Sequence, residues 1–116
     1  MSELHLKGAL DLAGDLALGG VVFADGKKIL VLPSADFHSE KADLVRVIAS
    51  ANTTVRIGEK FVVVEGGICT QEKQPPLPGT VVGNGGGIKI KGMSVSVVHD
   101  KALVGGSPVE LTHSGQ

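Results

Sequence analysis

The stretch IKIKGMSVSV, residues 88–97, decides the fold of this chain because it is the third of three similar, evenly spaced stretches. The segments VFADGKKILV, residues 22–31, and VRIGEKFVVV, residues 55–64, align with it without a gap at spacings of 33 and 33. A period that recurs three times is typical of a chain built from repeated supersecondary units. Four columns are apolar in all three copies: Val22/Val55/Ile88, Ala24/Ile57/Ile90, Ile29/Val62/Val95 and Val31/Val64/Val97.

Each copy also contains the residues of a tight β-hairpin turn. A two-residue turn at Asp25-Gly26, Gly58-Glu59 or Lys91-Gly92 places a glycine where a turn of this kind needs a positive φ angle. Pairing the strands outward from the turn brings all four apolar columns to one face of every hairpin, because side chains alternate along a strand. The sequence therefore predicts three similar hairpins with one apolar face each.

The composition favours a small all-β fold. With 17 glycines, three phenylalanines and neither Trp nor Tyr among 116 residues, small aliphatic side chains must build the core, which suits thin β-layers better than a helical bundle. We predict a three-sided β-cone or β-prism made from three hairpin repeats, with little or no helix. We expect residues 1–116 to form a single domain, in which residues 1–20 provide N-terminal strands and residues 21–113 the three repeats.

The segments between the hairpins are less clearly patterned. Residues 39–50 fit either one short helix or a strand, and we expect a short helix followed by extended chain. Residues 70–87 hold three of the five prolines, which predicts an extended, turn-rich loop without helix. The tail predicts one last strand over residues 109–112, after which the chain is expected to fray.

Charge and cysteine content exclude several classes of function. The formal net charge is −1 and the charged residues are scattered singly, so we expect no nucleic-acid partner. A single cysteine excludes an internal disulfide framework, and charged residues interrupt the N-terminal segment too often for a signal peptide. No apolar stretch approaches the roughly 20 residues that span a bilayer. The sequence predicts a protein made in the cytoplasm.

Two motifs invite a catalytic interpretation without supporting one. The glycine-rich residues 83–87 precede a predicted strand, whereas a phosphate-binding loop needs a helix N-terminus directly after it. No known local signature surrounds Cys69, and a small β-body rich in valine offers little cleft for a substrate. We predict that the chain is not an enzyme, with no catalytic residue and no bound organic cofactor.

Three chemistry-bearing residues follow the hairpins. His38, Cys69 and His99 each lie in the stretch after the second strand of one copy, so a threefold body brings these stretches toward one end. With His113, after the last short strand, they make a set that suits structural zinc, or iron. Such an ion would substitute for missing core at a narrow apex. The alternative is that the histidines are ordinary loop residues and Cys69 is a small buried thiol.

The third copy resembles the repeat unit of the PAAR-repeat and PAAR-like spike-tip proteins. GGSPVEL, residues 105–111, is also similar to that family's Gly-Ser-Pro-x-Val segment. The resemblance covers roughly residues 20–113. In IKGMSVSVVHD, residues 90–100, the matching positions are Ile90, Gly92, Val95, Val97, Val98 and Asp100.

This resemblance implies a pointed β-cone that caps the trimeric β-helical spike of a contractile tail, as in a phage, a tailocin, a type VI secretion system or an extracellular injection system. One tip monomer per homotrimeric spike would sharpen it for penetration of the target cell membrane, and effector proteins form a further class of partner. The resemblance also implies zinc bound near the point by His38, Cys69, His99 and His113. The competing hypothesis is a free-standing β-prism-like module that binds a protein or carbohydrate.

Overall fold

The computed structural model describes residues 3–14 and 20–116. Within these ranges the protein is all-β and contains no helix, which confirms the predicted fold class and leaves no helix long and apolar enough to cross a membrane. The strands in chain order are β1 (Glu3–Leu6), β2 (Leu10–Asp11), β3 (Val21–Ala24), β4 (Lys27–Lys28), β5 (Val31–Leu32), β6 (Val45–Ala49), β7 (Arg56–Ile57), β8 (Lys60–Val62), β9 (Ile68–Gln71), β10 (Leu77–Val81), β11 (Ile88–Ile90), β12 (Met93–Ser94), β13 (Lys101–Val104) and β14 (Ser107–Glu110).

The three predicted hairpins are formed by β3 with β4, β7 with β8, and β11 with β12. Ala24 lies opposite Lys27, and the other two hairpins pair the residues in the same columns, so every turn holds the two residues that the alignment predicts. Only glycine adopts a positive φ angle in such turns without steric cost. The turn glycines have φ angles of 84° at Gly26, 63° at Gly58 and 80° at Gly92.

The four apolar columns form one core, as predicted. All twelve residues are at most 7% exposed, and together they make one contiguous cluster. Neighbouring hairpins are joined by antiparallel bridges that repeat around the body, so each hairpin contacts both of the others. The bridged pairs are Val31 with Val62, Val64 with Val95, and Ile29 with Val97.

A five-stranded antiparallel sheet packs against the other side of the hairpins. Its strand order is β14-β13-β10-β9-β6, and its inward side chains form a second core together with Leu30 and Val63. The central strand β10 contains Gly79, where a Cβ atom would lie 2.5 Å from the Leu103 carbonyl oxygen. Glycine at this position therefore permits β10 to approach β13 closely.

The short helix expected within residues 39–50 is not formed, and this prediction is wrong. Val45–Ala49 is strand β6, which pairs antiparallel with β9. Val45 and Val47 are buried on one face of β6, which is the period of a strand. A φ angle of 55° at Leu44 also lies outside the helical region. Pairing with the edge of β9 outweighs the weak helical spacing of so short a window.

Other expectations hold in part. The segment 70–87 contains no helix, as expected, but Leu77–Val81 is a central strand and not a loop. The last strand is Ser107–Glu110, which begins two residues earlier than predicted. Strands β1 and β2 lie within the segment 1–20, where N-terminal strands are predicted, while residues 1–2 and 15–19 of that segment lie outside the described residues.

Candidate docking surface

A closed ring of three backbone hydrogen bonds lies where the hairpins meet. The Leu30 amide donates to the Ser96 carbonyl, the Ser96 amide to the Val63 carbonyl and the Val63 amide to the Leu30 carbonyl, each at 2.9 Å. The three residues occupy one column of the repeat, at spacings of 33. Because each member donates to the next in the same way, the ring marks a pseudo-threefold axis within a single chain.

Side-chain amides fix the hairpins around this axis. The Asn52 side chain accepts a hydrogen bond from the Val55 amide at 2.9 Å and donates to the carbonyls of Val55 at 2.7 Å and Val62 at 2.9 Å. Gln116 makes the same three bonds to the same columns of the first hairpin, at 2.7 to 2.9 Å. Asn84 donates at 3.2 Å to the equivalent carbonyl of the third hairpin. Each hairpin thus has an amide at its open end.

Sequence reasoning missed these amides, although a signal for them exists. Asn52, Asn84 and Gln116 recur at spacings of 32 and 32, close to the period of the apolar columns. The expectation that the tail frays after residue 112 is wrong, because the Gln116 side chain bonds to the first hairpin. Three hydrogen bonds to buried backbone groups hold this residue in place.

The N-terminal strands stack on two of the hairpins. β1 runs parallel to β3, with Leu4 beside Val22, and β2 runs parallel to β11, with Leu10 beside Ile88. Val22 and Ile88 occupy the same column of the repeat. β1 and β2 are therefore equivalent to each other about the pseudo-threefold axis.

A six-residue repeat in the sequence accounts for this equivalence. The pattern Leu-x-Leu-x-Gly-x occupies residues 4–9 and 10–15, and its glycines Gly8 and Gly14 have φ angles of 75° and 73°. Hexapeptide repeats are typical of parallel β-helices. The alternating leucines predict strands here, but the period of six was missed. The spacing continues in the sequence with Leu16, Leu18 and Gly20, where residues 15–19 lie outside the described part of the chain.

The end of the hairpin core beside β1 and β2 is apolar and partly open. Leu4, Leu6 and Leu12 pack against the core cluster but remain partly exposed, and Leu10 is 39% exposed. Among the residues that the structure describes, no strand pairs with the outer edge of β1 or β2, so each is the last strand of its sheet. We call these four leucines, together with the free edges of β1 and β2, the docking end.

His38 is buried, and both of its ring nitrogens bond to the backbone. Nε2 donates to the Val31 carbonyl at 2.9 Å, while Nδ1 accepts from the Val47 amide at 3.1 Å. This arrangement requires a neutral imidazole with its proton on Nε2. Desolvation lowers the pKa of His38, a shift that the hydrogen bond to Val31 opposes and the charge of Arg46 reinforces. His38 therefore acts as a structural link between two chain segments.

We expect the free energy of unfolding to decrease as the pH falls below about 6.5, the ordinary pKa of histidine. Because burial lowers the pKa of His38 in the folded chain, the unfolded chain binds a proton at a higher pH than the folded chain does. Above that pH both states carry a neutral imidazole, so this contribution is constant. The contribution of His38 to stability is lost as the pH falls from its pKa in the unfolded chain to its lower pKa in the folded chain.

Urea unfolding at about pH 7.5 and about pH 5.5, for wild type and His38→Gln, measures this effect. The variant is less stable at both pH values but should lose less stability on acidification. Burial raises the pKa of Asp100, so protonation of this carboxyl at low pH favours the folded chain. Both proteins contain Asp100, so the difference between wild type and His38→Gln cancels its contribution. An equal decrease in both proteins would contradict the prediction.

Cys69 lies in the middle of the five-stranded sheet. It is on β9, beside Val47 of β6 and Gly79 of β10, and its side chain is fully buried in the second core. Burial raises the pKa of the Cys69 thiol. Because the thiolate is the form that attacks electrophiles and binds metals, this environment disfavours both kinds of chemistry.

His99 and His113 line a surface cleft of about 790 Å³ beside the first hairpin. His99 is exposed, and its Nδ1 donates to Glu110 Oε2 at 2.5 Å, a bond that lowers the pKa of Glu110. Phe23 and Phe37 line the same cleft. Four lysines border it as well: Lys27, Lys28, Lys41 and Lys60.

The four side chains predicted as metal ligands do not form one group. The His38 carbonyl accepts a hydrogen bond from the His113 amide at 2.9 Å, but the His38 ring uses both nitrogens within the fold. Cys69 lies inside the sheet, and His99 and His113 line one surface cleft. Among the described residues, no three His, Cys, Asp or Glu side chains are placed to hold a metal ion. In this arrangement the donor set does not fit zinc or iron.

Comparison with known proteins identifies no relative. No family model matches the chain, and neither a curated protein nor a solved structure does. The geometry of the chain itself must therefore indicate its function. Its principal features are the backbone ring, the amides around it and the docking end.

Proposed function

We propose that this chain is a spike-tip protein that caps a homotrimeric β-helical spike of a contractile tail or injection system. The observation that carries the proposal is the ring formed by Leu30, Val63 and Ser96, which gives one chain a pseudo-threefold axis. A homotrimer ends in three identical surfaces. A monomer matches all three at once only if its own surface repeats three times about the same axis. The resemblance of the third repeat to PAAR-like units supports the same function.

The docking end suits the end of such a spike. Strands β1 and β2 have free edges, and the leucines between them form an apolar centre. A β-helix that ends abruptly has unpaired strand edges around an apolar centre as well. Association would pair those edges and remove both apolar surfaces from water.

The rest of the molecule suits a mechanical role. Two cores of valine, isoleucine and leucine meet at the backbone ring, and β-branched side chains packed in this way have few alternative rotamers. The body measures 39 × 28 × 23 Å, so it is longer than it is wide. A stiff cap of this shape would concentrate the force of sheath contraction on a small area of the target membrane. This function requires no chemical step.

The expected complex contains one monomer of this chain and one spike trimer. Native mass spectrometry of the chain mixed with a trimeric β-helical spike protein from the same genome measures this stoichiometry. Leu10→Asp should weaken binding by at least about tenfold, because it places a charge in an apolar contact. Leu103→Asp is the matched control, because Leu103 is 44% exposed, compared with 39% for Leu10, and lies on β13, outside the docking end.

Failure of a well-folded wild-type chain to associate with the spike would contradict the proposed function, as would three monomers per trimer. Equal binding by both aspartate variants would show that the docking end is not the contact. Circular dichroism and thermal unfolding establish that each variant is folded before its binding is compared.

A second candidate function is a free-standing module that binds an acidic carbohydrate or protein. The cleft beside the first hairpin favours it, because its lining contains two phenylalanines and four lysines, which outnumber the two carboxylates of Asp36 and Glu40. Among the described residues, Lys27, Lys28 and Lys41 form no ion pair that would occupy their charge. The spike experiment distinguishes the two functions. A free-standing module should not bind the spike trimer, whereas a spike tip should bind it with one monomer per trimer.

A further inference from the structure

The N-terminal segment has the geometry of a β-helix coil. Leu4 and Leu10 stack on equivalent columns of two hairpins, one hexapeptide apart, so residues 3–14 follow two neighbouring sides of the three-sided body. Gly8, with a φ angle of 75°, lies at the corner between the two sides. The Asp25 carboxylate fixes this corner by accepting a hydrogen bond from the Gly8 amide at 3.2 Å.

The backbone pattern shows which groups face away from the hairpins. The Leu6 carbonyl accepts a hydrogen bond from the Asp25 amide at 2.8 Å. On β2, the Leu10 amide donates to the Gly87 carbonyl at 3.1 Å, and the Leu12 amide donates to the Lys89 carbonyl at 2.8 Å. In a strand, the backbone groups of successive residues point to opposite edges. His5 directly precedes Leu6, and Asp11 lies between Leu10 and Leu12. The amide and carbonyl groups of His5 and Asp11 therefore point to the free edges of β1 and β2.

We infer that residues 3–14 are part of the first coil of a three-sided parallel β-helix, and that the last coil of the spike extends it by parallel strand pairing. This inference rests on the proposed function and specifies its contact. The partner's terminal strands hydrogen-bond to the backbone of His5 on one side of the body and of Asp11 on the next. Its apolar interior covers Leu4, Leu6, Leu10 and Leu12.

Three observations select a β-helix over a single added strand. The two free edges lie on different sides of the body, so one strand could pair with only one of them. Both N-terminal strands run parallel to the strands they stack on, which is the polarity within a β-helix. The leucines between the edges are only partly buried, so the occupant must also cover an apolar centre.

The side chains outside the coil leave the free edges open. His5 stacks on the Phe23 ring with centroids 4.6 Å apart and planes 5° from parallel, and it also contacts Glu3 at 3.3 Å. These contacts hold its imidazole against the side of the body. A strand approaching the edge of β1 therefore meets backbone groups directly.

The test compares two double variants in spike binding. His5→Pro with Asp11→Pro removes the two outward N–H groups, which proline tolerates at a sheet edge. His5→Ala with Asp11→Ala removes the same side chains but keeps both N–H groups. The proline pair should weaken binding to the spike trimer by about tenfold to a hundredfold, and the alanine pair by no more than a few-fold.

Hydrogen exchange of the wild-type complex gives a second measurement that needs no variant. The amides of His5 and Asp11 should exchange rapidly in the free chain and slowly once the spike is bound. Unchanged exchange at both amides, in a chain that binds the spike with one monomer per trimer, would overturn this inference and leave the proposed function standing. Wild-type chain that binds no spike would remove the function and the inference together.

Discussion

Replacing Ile29 by alanine is expected to lower the free energy of unfolding by about 2–5 kcal/mol. Ile29 is fully buried within the core cluster of the three hairpins, and its backbone forms the bridge to Val97 that joins the first hairpin to the third. Truncation removes apolar contacts and leaves a cavity beside the pseudo-threefold axis. Because domains of this size are stable by about 5–15 kcal/mol, the loss is a large part of the total.

The matched control for this change is Ile48→Ala. Ile48 is in strand β6 and is 55% exposed, so the same truncation should cost less than about 1 kcal/mol. Denaturant unfolding of both variants and wild type, followed by circular dichroism, gives the two differences. Equal losses would mean that the twelve column residues are not the core of the molecule.

Asn52→Leu is expected to destabilise the chain by about 1–3 kcal/mol, because it leaves the buried Val55 amide without a hydrogen-bond partner. It also removes one donor each to the Val55 and Val62 carbonyls, which keep their bonds from the Val62 amide and the Ser50 hydroxyl. Asn52 is 4% exposed, so water has little access to replace those bonds. The effect tests whether the amides stabilise the threefold arrangement.

The neighbouring residue provides the control for Asn52. Thr53 is exposed, and Thr53→Leu adds the same side chain to the same loop without removing a partner from the hairpin. We expect it to change the free energy of unfolding by less than about 0.5 kcal/mol. If thermal and urea unfolding show similar stability for the two variants, the amide of Asn52 has no special role at the hairpin.

The sequence was sufficient to predict the three hairpins and their shared core, because both depend on local rules. A two-residue turn fixes the pairing of the strands that flank it, and the alternation of side chains then fixes the buried face. The alignment at a period of 33 gives the turn position three times, at residues 25–26, 58–59 and 91–92. The twelve column residues are consequently the same in the sequence prediction and in the structure.

The position of a residue after a strand did not predict where its side chain lies. His38, Cys69 and His99 occupy comparable stretches of the three copies. In the structure one bonds to buried backbone, one is inside a sheet and one is on the surface. Tertiary pairing decides among these environments, and the pairing of β9 with β6 and β10 connects segments that no short-range pattern relates.

The remaining features have sequence signals of a different period. The leucines and glycines of the N-terminal segment repeat every six residues, and the three amides repeat every 32. A search at a single period of 33 overlooks both. Their function becomes evident only when the chain is folded, because Gln116 and β1 are distant in sequence from much of the core that they complete.

An electron cryo-microscopy structure of the chain bound to its spike trimer tests the central claim most directly. We predict that the axis through the ring of Leu30, Val63 and Ser96 coincides with the threefold axis of the spike, and that spike strands continue β1 and β2 in parallel. A monomer attached through the five-stranded sheet, or with its ring away from the spike axis, would contradict this account.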